Sequence, residues 1–152
     1  MIRMPSRHRS RQRALQILFQ WDIRRRDEET RIPAETAIAA YYETLYSEET
    51  EARPDRDDFV DQLVTGVSGR IDSIDEMIAR HAENWKISRM AAVDRNVLRL
   101  AVYEMLALPT PRAVVIDEAL ELARKFSGEE AVHFVNGVLD AIRRELENAA
   151  HA

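Results

Sequence analysis

The sequence contains no cysteine. That single absence removes disulfides, thiolate metal sites and cysteine nucleophiles together, and it fits a reducing cytoplasm. Glycine is scarce at four residues and proline at five in 152, so few points interrupt the chain, which favours long helices over many short strands. No apolar run approaches the ~20 residues needed to cross a bilayer. The arginine-bearing N-terminus has no apolar stretch before Ala14 and does not read as a secretory signal. A soluble cytoplasmic protein is therefore expected. Lysine is nearly absent as well: Lys86 and Lys125 stand against a large excess of arginine, the better planar donor for phosphates and bases. No nucleophile elbow, phosphate loop or dinucleotide fingerprint occurs. No segment sustains a period-two alternation, so no sheet is proposed.

What is present is a core and a charge asymmetry. Apolar residues make up 45% and charged residues 32%, enough for one domain or for two small helical halves sharing an interface. The net charge of −5 is unfavourable for a nucleic-acid binder until it is resolved by position. Residues 1–26 hold eight arginines (3, 7, 9, 11, 13, 24, 25 and 26) and one acid, Asp22, giving +7 and leaving −12 on the rest. Such a chain repels polyanions except at its basic end.

Helical periodicity runs along the chain. A first helix is predicted from about Ser6, as N-cap, to Arg26, with Ala14, Ile17, Leu18 and Trp21 inward and Arg7, Arg11 and the Arg24–Arg26 run off that stripe. Pro33 can start a second helix, from Ala34 to Tyr46, and the polar segment from Ser47 to Asp55, containing Pro54, reads as a loop. Asp55 or Asp57 can cap a third helix through Phe59, Leu63, Val64 and Val67, loosened by Gly66 and Gly69. A continuation keeps helical spacing at Ile71, Ile74 and Ile78. Ser88 opens the most apolar helix, through Val97, Leu98, Leu100, Ala101 and Met105, and Pro109 and Pro111 stop it. Two more helices are expected, Ala113 to Phe126 and Glu129 to Asn148, turning at Ser127-Gly128. The fold class is all-α, with six to seven helices. Buried positions should include Val97, Leu98, Leu100, Ala119, Val135 and Leu139.

Three constellations carry chemistry. On a helix, Arg7 and Arg11 share one face and Arg9 and Arg13 another, with Gln16 between them and Phe19 beside it. Arginines supply phosphate contacts and amides can reach base edges, although a solvated, partly frayed arm is the plainer account. In the stretch from Phe134 to Asp140, Gly137 costs a helix ~1 kcal/mol against alanine, which points to a close helix crossing. Asn136 and Asp140, four apart, can bond each other or cap a neighbouring backbone. In the stretch from Asp94 to Glu104, Asp94 can cap or pair with Arg95 or Arg99, which reads as structural. Glu130 and His133 match half of a helical di-iron pattern. No other histidine has a glutamate three residues before it, so neither metal nor cofactor is expected. The Gly66 to Gly69 spacing is like an RNA-binding glycine loop, but the strands that loop requires are missing.

Taken together, Arg11-Gln-Arg-Ala-Leu-Gln-Ile-Leu-Phe19, Asp94-Arg-Asn-Val-Leu-Arg-Leu-Ala-Val-Tyr-Glu104, Val115-Ile-Asp-Glu-Ala-Leu-Glu-Leu-Ala-Arg-Lys-Phe126 and Phe134-Val-Asn-Gly-Val-Leu-Asp140 resemble the NusB family, from residue 7 to about 144. The resemblance implies a single NusB-like domain over 1–152, a compact bundle in two helical subdomains, with a basic N-terminal helix at about 1–26 and a C-terminal helical subdomain at about 88–148. It implies no catalytic residue. It implies an antitermination factor that binds boxA RNA with the ribosomal protein NusE and serves the RNA polymerase antitermination complex in ribosomal RNA operons. RNA-binding residues carried over by the resemblance are Arg7, Arg9, Arg11, Gln16, Glu130, His133 and Phe134, the last as a base-stacking platform. Phe19 and Glu104 are carried over toward the protein partner. Monomer and homodimer both stay open.

The chain departs from the family at Asp117, where asparagine is usual, at Phe19, where tyrosine is frequent, and at His8, which interrupts an arginine pair. The Arg24–Arg26 run has no family counterpart. A helical protein-interaction module without RNA binding is the alternative function.

Overall fold

The computed structural model describes residues 6–49, 56–83 and 85–150, with backbone alone at 45–49. Among these the chain forms seven α-helices and no strand: α1 (Arg7–Arg25), α2 (Ala34–Glu49), α3 (Asp58–Gly69), α4 (Ile71–His81), α5 (Ala92–Ala107), α6 (Arg112–Phe126) and α7 (Glu129–Ala150). A short 3-10 turn, Ile87–Arg89, precedes α5. No helix is long and apolar enough to cross a membrane. The helices group into two compact units, Met1–Ser68 and Gly69–Ala152. The second unit thus begins at α4, well before residue 88.

In the first unit, Ser6 caps α1 by accepting from the Arg9 N–H at 3.2 Å. Ala14, Ile17, Leu18 and Trp21 are buried as their spacing requires. Pro33 lends its carbonyl to the N–H groups of Thr36 and Ala37 and starts α2. That helix continues past Tyr46 to Glu49, so Ser47 opens no loop. The remainder of the expected loop, Pro54, and the alternative cap Asp55 lie outside the described residues. Asp57 caps α3, accepting from the Phe59 N–H at 3.0 Å. Val60, Leu63, Val64 and Val67 fill the inward face of α3, and Phe59 stays half-exposed.

In the second unit, α5 packs against α4, α6 and α7. It is buried without interruption from Arg95 to Met105. A helix enclosed on all sides must find partners for every polar side chain it carries. Arg95 donates to the carbonyls of Ile87 and Met90, each at 3.1 Å, which fastens the 3-10 turn to the helix start. Ser88 lies in that turn, and α5 starts at Ala92 with no side-chain cap. Arg99 makes a two-pronged ion pair with Asp75 of α4, both contacts at 2.7 Å, and donates to Asn96 at 3.1 Å. Asp75, not Asp94, therefore supplies the carboxylate that holds Arg99. Asp94 keeps one buried oxygen without a hydrogen-bond partner among the described residues.

Prolines separate the last helices. Pro109 follows the end of α5, and the Pro111 carbonyl accepts from Val114 and Val115 to open α6. Leu122 is buried on α6, whereas Leu120 is half-buried. Gly128 makes the turn into α7 at φ +139°, a conformation that side-chain-bearing residues rarely adopt. The N–H groups of Ser127 and Gly128 both return to the Ala123 carbonyl at 2.9 Å. All six positions expected in the core are buried, at 4% exposure or less.

Candidate nucleic-acid interface

The sequence candidates divide between the two units. In the first, Arg7 and Arg9 are exposed on the opening turn of α1. Arg11 is different. Its residue is 6% exposed, and its guanidinium sits 5.5 Å from the centre of the Phe59 ring, which Arg7 also covers at 4.2 Å. Arg11 thus belongs to the buried face and not beside it. The cation–π contact and the packed stem both favour this position.

The same helix start is tied down by Ser10. Its hydroxyl donates to Asp57 in a short hydrogen bond, and the hydroxyl oxygen lies 3.1 Å from the Ser6 carbonyl oxygen. The Asp57 N–H in turn donates to the Tyr42 hydroxyl at 2.9 Å. One buried residue, Asp57, thereby links α1 and α3 through its carboxylate and α2 through its backbone N–H. Burial, foremost, raises the Tyr42 hydroxyl above its usual pKa, while the hydrogen bond it accepts from the Asp57 N–H acts the other way. Gln16 is exposed and accepts from the Tyr41 hydroxyl at 3.1 Å, and Phe19 is half-buried one turn further on. His8 meets Gln12 at 3.1 Å between their side-chain nitrogens.

The Arg24–Arg26 run closes α1, where cations complement the helix dipole. Arg25 lies 4.6 Å over Trp21, and the Arg25 carbonyl accepts from Arg31 at 3.1 Å. These contacts give the run a part in ending the helix.

In the second unit, Glu130 and His133 are exposed on the first turns of α7, and Phe134 is half-buried beside them. Phe134 meets Trp85 edge-to-face, centroids 6.1 Å apart. Asp117 is exposed on α6. Glu104 faces inward at 2% exposure, and its carboxylate accepts from Thr110 at 3.0 Å. It ties the turn after α5 to the core.

Two expectations fail in this unit. Gly137 marks no close crossing, because a methyl group there would meet nothing within 4 Å. Asp140 pairs not with Asn136 but with Arg143 at 2.6 Å and Arg144 at 2.8 Å, and the Arg143 hydrogen bond, foremost, lowers the Asp140 pKa. Sequence reasoning also passed over Phe59, the ring beneath two arginines, and Trp85, the exposed partner of Phe134.

A family model described as the NusB family matches residues 8–144. The chain belongs to the NusB family. It is 61% identical over 143 residues to the transcription antitermination protein NusB of Solibacter usitatus, covering 94% of this chain and 92% of that one. It is 41% identical over 144 residues to the NusB of Bacillus subtilis, covering 94% and 98%. Among solved structures it is similar to T. maritima NusB, with a TM-score of 0.77 at 33% identity over 94% of each chain. It is also similar to a chain of a crystal structure of antitermination factors NusB and NusE in complex with dsRNA, with a TM-score of 0.73 at 28% identity over 93% and 99%. NusB proteins are transcription antitermination factors and not enzymes.

Proposed function

We propose that this NusB-family chain binds boxA-type single-stranded RNA together with the ribosomal protein NusE, and so supports read-through of ribosomal RNA operons within the RNA polymerase antitermination complex. The observation that carries the reading is an arginine-rich helix start, capped and anchored, that turns Arg7 and Arg9 to solvent in a chain of this family. Acting on nascent RNA places the protein in the cytoplasm.

The roles follow from exposure. Arg7 and Arg9 meet phosphates, and Gln16 offers an amide to a base edge. Arg11 supports this surface from beneath through Phe59. On α7, Phe134 gives a stacking face, His133 a ring donor, and Glu130 a carboxylate that accepts from base amines. Phe19 faces the protein partner, and Glu104 serves it indirectly by holding the turn at Thr110.

The test is RNA binding as a function of salt. Removing one arginine–phosphate interaction from a single-stranded complex should flatten the slope of log K against log salt by about 0.7. The Arg7→Ala/Arg9→Ala double variant should therefore lose about 1.4 in slope and weaken boxA and unrelated RNA alike, with helicity unchanged by circular dichroism. Parental affinity and slope in that variant would make the basic head a solvated surface and sink the assignment.

A further inference from the structure

Trp85 has no role in the RNA surface proposed for this chain, yet it is among the most exposed large apolar residues described. It lies between α4 and the 3-10 turn, exposes 54% of its surface, and sets its ring at 61° to that of Phe134. An edge-to-face contact engages one part of an aromatic ring and leaves the rest of its surface in water. The flanking charges indicate what could cover it. Five cations of the second unit are paired with acids: Arg80 with Glu145, Arg99 with Asp75, Arg124 with Glu129, and both Arg143 and Arg144 with Asp140. Lys86 and Arg89, one and four residues beyond Trp85, are exposed and have no ion pair among the described residues. Glu83 is the one acid in sequence between residues 82 and 93, and Glu130 stands one turn before Phe134 on α7.

An exposed indole, a second aromatic ring against it and two unmatched cations beside it form the combination that single-stranded nucleic acid selects: stacking for bases and positive charge for the backbone. A basic protein surface would be repelled by the same two cations. We propose that Trp85 is a base-stacking residue for single-stranded RNA that extends the Phe134 platform, with Lys86 and Arg89 contacting the flanking phosphates. The inference rests on the proposed binding of boxA-type RNA.

Intrinsic fluorescence tests it directly, because the other tryptophan, Trp21, is buried at 6% exposure. Titration of the parent protein with a short boxA-type single-stranded RNA should quench the exposed indole. Trp85→Phe should abolish that response while keeping most of the affinity. Trp85→Ala should bind about 5- to 150-fold more weakly with the salt slope unchanged. Lys86→Ala and Arg89→Ala should each flatten the slope by about 0.7. Circular dichroism reports whether each variant keeps its helices, and the quench in the parent does not depend on any variant folding. RNA binding by the parent without a quench, and with equal affinity in Trp85→Ala, would overturn the assignment while leaving the wider RNA reading intact. No RNA binding by the parent would overturn both. Loss of NusE capture in Trp85→Ala with RNA affinity unchanged would assign the surface to a protein and overturn the proposal.

Discussion

Arg11 shows how a residue's charge can mislead a reading that its spacing supports. Positions 11, 14, 18 and 21 follow one another at intervals of three and four, so the apolar stripe of α1 runs through Arg11, and the structure buries it there. Charge argued for solvent, but the Phe59 ring supplied a face for the guanidinium, and nothing near Arg11 in sequence announces a ring 48 positions away. The same limit hid Asp57 as the partner of Ser10 and Asp75 as the partner of Arg99. Long-range polar pairs leave no periodic trace. Arg11→Ala should lower folding stability by about 1–3 kcal/mol, because it removes both the cation–π interaction and the packing of the stem. Arg9→Ala, at an exposed position, should change it by less than about 0.5 kcal/mol. Urea unfolding of the two variants checks the contrast. Equal stabilities would place Arg11 with the solvent-facing arginines after all.

Among the helices, what the sequence made legible was the inward face and what it left open was the ends. All seven helices carry apolar stripes whose members are mostly buried, and Ser6, Pro33 and Gly128 mark boundaries by known backbone chemistry. The start of α5 was misplaced because Ser88 offers a cap signal, whereas the Arg95 guanidinium collects the carbonyls there and favours a 3-10 turn. The glycines flanking and within α7 were separable only in space. Gly128 holds φ +139°, while Gly137 sits in an ordinary helical turn with open space where a side chain would project. Gly137→Ala should therefore stabilise the protein by about 0.5–1 kcal/mol. Gly128→Ala should destabilise it by about 1–2 kcal/mol. Thermal melts should move in opposite directions. A lowered melting temperature for Gly137→Ala would show that the helix needs glycine there for a reason other than backbone freedom.

For the chain as a whole, charge is the property the sequence displayed most openly, with +7 on residues 1–26 and −12 on the remainder. Under the proposed function, an acidic remainder should attract a basic ribosomal protein and leave the arginine head to RNA. NusE should accordingly raise the affinity for boxA RNA, and NusE capture should survive the Arg7→Ala/Arg9→Ala change. Competition between NusE and RNA in a binding titration would contradict this division of surfaces. The motifs that identify the family were legible because they combine helical spacing with particular side chains over most of the chain. The polar contacts that shape each surface were not.

The node at Asp57 has a thermodynamic consequence. With Ser6 capping α1, Ser10 fixed to Asp57, and Asp57 fixed to Tyr42, the arginine head is ordered before any ligand arrives. A disordered arm that folds on binding spends part of its interaction energy on ordering and shows a large negative heat-capacity change as it buries surface. A pre-organised head avoids that ordering cost. The RNA association proposed through it should then be dominated by counterion release, with only a small heat-capacity change, and be limited by electrostatically steered encounter and not by the folding of an arm.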